Sequence, residues 1–84
     1  MLKGTVKFFL SQTGKRYGFI IAEDGSEVFF HFRQGQGFII GPSKPIFSCR
    51  TQTRDPKVGD EVMFEIKTGP KGYRADPWGF ADEY

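Results

Sequence analysis

The chain has 84 residues, a formal net charge of +2 and a 17% share of Phe, Trp and Tyr. These 84 residues are expected to form one domain with a thin core, burying roughly 60–65% of the surface they expose unfolded. Its one cysteine, Cys49, excludes an intrachain disulfide and a cysteine-rich zinc site.

Every periodic segment is short, rich in β-branched and aromatic residues, and bounded by Gly, Pro or Asp, which is the pattern of strands. The first predicted strand is Lys3–Leu10, "KGTVKFFL", ended by the polar loop "SQTGKR". Tyr17–Ala22 and Val28–Phe32 follow, joined across "EDGSE" as a hairpin. Residues 33–56 are too many for a simple connection in a compact domain. Within them "GFIIGPSKPIFSCR" reads as an extra hairpin with "FII" and "IFSCR" as its arms. It has three readings: a loop that packs Ile39, Ile46 and Phe47 back on the body of the domain, an interface or swapping element, or an extension of a ligand groove through Phe38, Arg50 and Arg54. Asp60–Lys67, "DEVMFEIK", alternates with Val62, Phe64 and Ile66 inward. Tyr73–Phe80 is a last strand, which Pro77 marks as an edge.

The fold class that follows is all-β. Five short strands do not make two good sheets, whereas closing them into a small antiparallel barrel removes exposed edges and encloses one core. The expected inward set is Val6, Ile20, Val28, Phe30, Val62, Phe64 and Ile66. The opposite parity of the first three strands, Lys7, Tyr17, Phe19, Phe29 and His31, then faces out. Phe9 stands between core and surface, and Phe8 and Phe32 lie at strand ends, where parity is least secure.

Phe8, Phe9, Tyr17, Phe19, Phe29 and Phe32 left outside would form a contiguous apolar patch, beyond the roughly 300–600 Å² that ordinary monomers carry. Leaving it uncovered forgoes about 25 cal/mol per Å², so either some of these rings belong inside or the patch has a partner. Cations travel with the rings. Residues 1–22 carry Lys3, Lys7, Lys15 and Arg16 with no acid, and residues 33–57 add Arg33, Lys44, Arg50, Arg54 and Lys57 against Asp55 alone. Flat rings among cations suit nucleic acid: any base can stack, at about 1–3 kcal/mol each, while the cations follow the phosphates. In a duplex the base faces are occupied, so the expected partner is a single strand. His31 and Cys49 as a catalytic pair carry no weight, since a lone His and a lone Cys occur by chance in most domains. With no carboxylate pair, metal constellation or phosphate loop in the sequence, neither an enzyme, a metal nor a cofactor is expected.

These residues also match a known family. "GTVKFF", "KRYGFI" (Lys15–Ile20) and "VFFHF" (Val28–Phe32) resemble the cold-shock domain, whose two ribonucleoprotein motifs read like K-G-F-G-F-I and V-F-V-H-F. The tail "VGDEVMFEIKTGPKGYRADPW" is similar to the family's fourth strand, Gly-Pro loop and fifth strand. The resemblance implies one domain over residues 1–84 with an OB-fold barrel, here carrying an extended connection between its third and fourth strands that departs from the family. It implies binding of single-stranded RNA and DNA without catalysis, as an RNA chaperone or a regulator of transcription and translation. Carried over by position, the binding set is Lys7, Phe8, Phe9, Tyr17, Phe19, Phe29, His31 and Phe32, with Lys15 supporting and Phe38 as a further stacking ring. The chain departs from the pattern in four places. Phe8 replaces the family's first-strand Trp, Arg16 replaces a Gly after a longer loop, the connection between the third and fourth strands is longer, and Trp78 lies away from the binding face.

A different class of function is a protein-interaction or self-associating barrel that uses the aromatic face or the 33–56 hairpin. No signal peptide or apolar run near the ~18 residues of a membrane span is visible, so the chain is expected to be cytoplasmic with no membrane partner. A monomer is expected, with a homodimer through the 33–56 insertion or strand swapping as the alternative.

Overall fold

The computed structural model describes residues 1–40, 45–70 and 72–84. Alternating apolar residues carry the first third of the chain into strands β1 (Leu2–Gln12), β2 (Lys15–Ala22) and β3 (Glu27–His31). A turn of 3-10 helix (Phe32–Gln34) leads to β4 (Gln36–Ile40) and β5 (Pro45–Thr51). Strands β6 (Glu61–Gly69) and β7 (Gly72–Phe80) and a 3-10 turn (Ala81–Glu83) complete the chain. Strands β1, β2, β3, β7 and β6 close into a five-stranded barrel in that order, consistent with the OB-fold, while β4 and β5 pair as a separate two-stranded sheet.

The barrel is not wholly antiparallel. Strands β3 and β7 close it in parallel, through Phe29 opposite Arg74 and Phe30 opposite Ala75. A consequence is that β7, expected at an edge because of Pro77, lies inside the wall between β3 and β6. Pro77 is accommodated at an irregularity: Phe64 stands opposite Trp78 and Ile66 opposite Ala75, so Asp76 and Pro77 together face Glu65. A bulge of this kind is where a strand tolerates a residue without an N–H.

The hairpin between β2 and β3 turns at "EDGS", where the Asp24 carboxylate accepts the Ser26 N–H at 2.9 Å. The other expected loop, "SQTGKR", is paired strand instead: Ser11 faces Arg16 and Gln12 faces Lys15. Only Thr13 and Gly14 form the turn, with Gly14 at a φ of 77°, the left-handed conformation a tight hairpin asks of glycine.

The core contains the expected Val6, Ile20, Val28, Phe30, Val62 and Phe64, all at or below 1% exposure. The seventh expected member, Ile66, is 39% exposed. Strand β6 pairs with β1 only from Glu61 to Phe64, so beyond that point it leaves the wall on one side and runs out with β7 alone. In its place β7 contributes Ala75, Trp78 and Phe80, each nearly fully buried. Trp78 meets Phe30 edge-on at 5.2 Å and Phe80 at 5.3 Å, and its Nε1–H donates to the His31 carbonyl at 2.9 Å.

On the ribbon, Phe38 pairs with Phe47 and Ile39 with Ile46, and the "GPSK" turn (41–44) lies outside the described residues. Phe38 and Phe47 stack at 4.8 Å, and Phe38 meets Tyr84 edge-on at 5.2 Å. The expectation that Ile39 and Ile46 pack on the barrel is corrected: both point away and are 52% exposed, because alternation gives the inner face to the phenylalanines. The ribbon is fastened by the buried Gln52, whose amide donates to the Gln36 carbonyl at 3.2 Å and to Glu83 at 2.9 Å. Arg54 likewise serves the fold, lying 3.9 Å above the Phe80 ring and pairing with Asp82 at 3.0 Å.

Candidate nucleic-acid interface

The outer face of β1, β2 and β3 is organised by one irregularity. Val6 faces Ile20 but the next pair is Phe8 with Phe19, so Lys7 is an extra residue on β1. The bulge resets the alternation. Val6 points in, Lys7 and Phe8 both lie outside, and Phe9 returns to the core side, where it stacks on Phe30 at 5.8 Å and 18°. Gly18, opposite Phe9, is required at this crossing: a Cβ there would lie 1.9 Å from the Phe8 carbonyl oxygen.

The register then lines up a row of rings across the sheet. Phe8 faces Phe19, Phe19 faces Phe29, and Phe29 faces Arg74 on β7. A second row runs Leu10, Tyr17, His31. Phe29 joins the two rows, with ring centroids 5.9 Å from Phe19 at 73° and 5.6 Å from Tyr17 at 33°. Phe8 is 44% exposed, and Tyr17, Phe19, Phe29 and His31 are half-buried, each offering part of its surface to solvent. Rings packed edge-on, as Phe19 on Phe29, or tilted, as Tyr17 on Phe29, keep some faces clear while fixing their positions.

Cations border the rows. Lys7 is exposed and its Nζ pairs with Glu27 at 2.9 Å. Such an exposed pair contributes only about 0–1 kcal/mol, so a phosphate can displace the carboxylate. Lys15 is exposed at the hairpin end, opposite Gln12. His31 accepts the Arg33 N–H at Nδ1 (3.1 Å), which leaves its ring proton on Nε2 as a donor. Burial, then the charges of Arg33 and Arg16, hold the imidazole below its ordinary pKa, in the neutral form at pH 7.

Of the ten residues the sequence proposes, the structure brings Lys7, Phe8, Tyr17, Phe19, Phe29 and His31 together on this face, with Lys15 at its hairpin end. It places three elsewhere. Phe9 packs on the core side of the bulge. Phe32, expected outside, is 8% exposed, because the chain leaves β3 there for a 3-10 turn that carries the ring against Phe9 and Trp78. The Arg16 guanidinium covers it at 3.7 Å. Phe38 belongs to the ribbon, where its ring partners are Phe47 and Tyr84.

Sequence reasoning missed Tyr73 and Arg74. With Phe19, Phe29, Pro70 and Gly72 they line an open groove of about 490 Å³ at the β7 side of the ring rows, and Tyr73 is 64% exposed. The signal was present in "GPKGYR", an aromatic and cations around a Gly-Pro turn. It carried no weight without the parallel β3–β7 pairing that sets it beside Phe29. Among the described residues no group of three or more His, Cys, Asp or Glu could hold a metal ion, and no helix is long and apolar enough to cross a membrane.

The profile of the 'Cold-shock' DNA-binding domain matches residues 2–77. Over 77 residues, 89% of this chain and 91% of that protein, the chain is 39% identical to cold shock protein CspB of Geobacillus stearothermophilus. It is 36% identical over 73 residues to the major cold shock protein CspA of Pseudomonas aeruginosa, covering 87% of this chain and 84% of that one. It is 38% identical over 78 residues to cold shock-like protein CspLB of Listeria monocytogenes, covering 90% and 92%. The chain therefore belongs to the 'Cold-shock' DNA-binding domain family, a membership that supports nucleic-acid binding in general.

Proposed function

We propose that this chain is a single domain that binds single-stranded RNA or DNA by stacking bases on the outer face of β1, β2 and β3, without catalysis. The observation that carries this reading is the row Phe8, Phe19, Phe29, in register across three strands and flanked by Lys7, Tyr17 and His31. The groove beside Tyr73 and Arg74 continues the track toward β7. Stacking tolerates any base, and the cations add an affinity that falls with salt. A surface that takes melted strands and not helices shifts hairpins toward the open form by mass action, which is the chemistry of an RNA chaperone or of a regulator of transcription and translation. The chain acts as a cytoplasmic monomer on this reading.

Titration of labelled single-stranded and duplex oligonucleotides at two salt concentrations tests it. Single strands are expected to bind on the order of tenfold tighter than duplex or more, since duplex offers phosphates but no base faces. Equal affinity for both would contradict it.

One observation favours a second reading, a protein-interaction or self-associating module: Ile39 and Ile46 face each other on the ribbon with half their surface exposed. Size-exclusion chromatography with light scattering separates the two, since a dimer insensitive to nucleic acid supports the second.

A further inference from the structure

We propose that Arg16 takes the place of a base on Phe32 and so shortens the strand this chain can hold, an inference that rests on the single-strand reading above. The Phe32 ring packs against Trp78, at 6.5 Å and 61°, and Phe9, at 6.4 Å and 50°, and is 8% exposed. One face is covered by the Arg16 guanidinium, 3.7 Å from the ring centroid, the separation at which a stacked base would lie. A guanidinium is planar, delocalised and weakly hydrated, and so mimics a base better than an ammonium does.

Arg16 is held there by partners of its own. Its guanidinium pairs with Asp55, in the connection between β5 and β6, and Ser11 donates to the same carboxylate at 3.1 Å. Ser11 and Arg16 are cross-strand neighbours on β1 and β2, so the tightly paired hairpin aims the arginine at Phe32 and Asp55 anchors it. A ring on the expected binding face is thus closed by a residue of the same chain. Among the described residues, the row Phe8, Phe19, Phe29 has no such cover, and stacking begins there.

The test is the affinity of oligothymidylates of increasing length for the full chain and for Arg16→Ala, Arg16→Lys, Phe32→Leu and Arg16→Ala/Phe32→Leu. Arg16→Lys keeps the charge without the plane and serves also if Arg16→Ala folds poorly; Phe32→Leu keeps an apolar side chain in the core without a ring. Removing the guanidinium is expected to add a further length step, about fivefold or more in affinity, the least that one stacked base contributes. The step is expected in Arg16→Ala and in Arg16→Lys, and absent from the double variant. Phe32→Leu alone is expected to change affinity by less than about twofold at every length. The proposal is overturned if neither Arg16 variant shows the step, if the step survives Phe32→Leu, or if Phe32→Leu alone weakens binding about fivefold. If the unaltered chain binds no oligothymidylate at any length, the single-strand reading itself fails and this inference falls with it.

Discussion

The indole of Trp78 donates a 2.9 Å hydrogen bond to the carbonyl of His31, so the largest ring of the core holds the strand end that carries a polar group of the binding face. The bond satisfies a buried donor and fixes where β3 ends. Trp78→Phe deletes the donor and is expected to cost about 1–3 kcal/mol in denaturant unfolding. Binding per folded molecule is expected to change by less than about twofold, because Trp78 has no surface to offer a base. A large loss of affinity in the folded variant would place Trp78 in the interface.

Lys7 supplies charge rather than a stacking surface. Lys7→Ala is expected to lower the slope of log affinity against log salt by about 0.7, the share of one phosphate on a single strand. The loss should be alike across base sequences. Stability should move by less than about 1 kcal/mol, since the pair with Glu27 is exposed on both sides.

The imidazole of His31 titrates below its ordinary value of 6.5, chiefly through burial and then through Arg33 and Arg16. The unfolded chain therefore takes up this proton first as the solution is acidified. The contribution of His31 to stability is fully present above the unfolded pKa near 6.5 and is lost as pH falls through the lower folded value. Unfolding midpoints measured across this range should drop toward acid, and His31→Gln should flatten that part of the curve. An unchanged acid limb in His31→Gln would assign the loss to carboxylates.

Tyr73 extends the stacking track with little part in the fold, since 64% of its surface is exposed. Tyr73→Ala is expected to leave stability within about 0.5 kcal/mol. It should weaken binding by about fivefold for strands long enough to reach β7, and not for shorter ones.

Much of this architecture was legible in the sequence because period-two alternation was clean. Val6, Ile20, Val28 and Phe30 point in, and Tyr17, Phe19 and Phe29 point out, as the pattern demands. What stayed hidden was what alternation does not encode. The extra residue at Lys7 reverses parity within β1 and separates Phe8 from Phe9, which a strict count cannot do. Parallel closure of β3 on β7 joins segments far apart in sequence, so Trp78 and Phe80 became core and Tyr73 and Arg74 joined the groove. Phe32 belongs to a third kind: a 3-10 turn carries it against Phe9 and Trp78, and its ring is covered by Arg16, the residue where the chain departs from the family motif.

Phe29 joins both rows of rings, so Phe29→Ala tests the stacking face most directly. The measurement is the affinity of this variant for a single-stranded oligonucleotide, alongside its thermal transition. Binding is expected to weaken about fivefold to a hundredfold, the range for loss of one stacked base, with the transition largely retained. A variant whose transition collapses while its folded fraction binds as tightly as the unaltered chain would make Phe29 a core residue and contradict the stacking face.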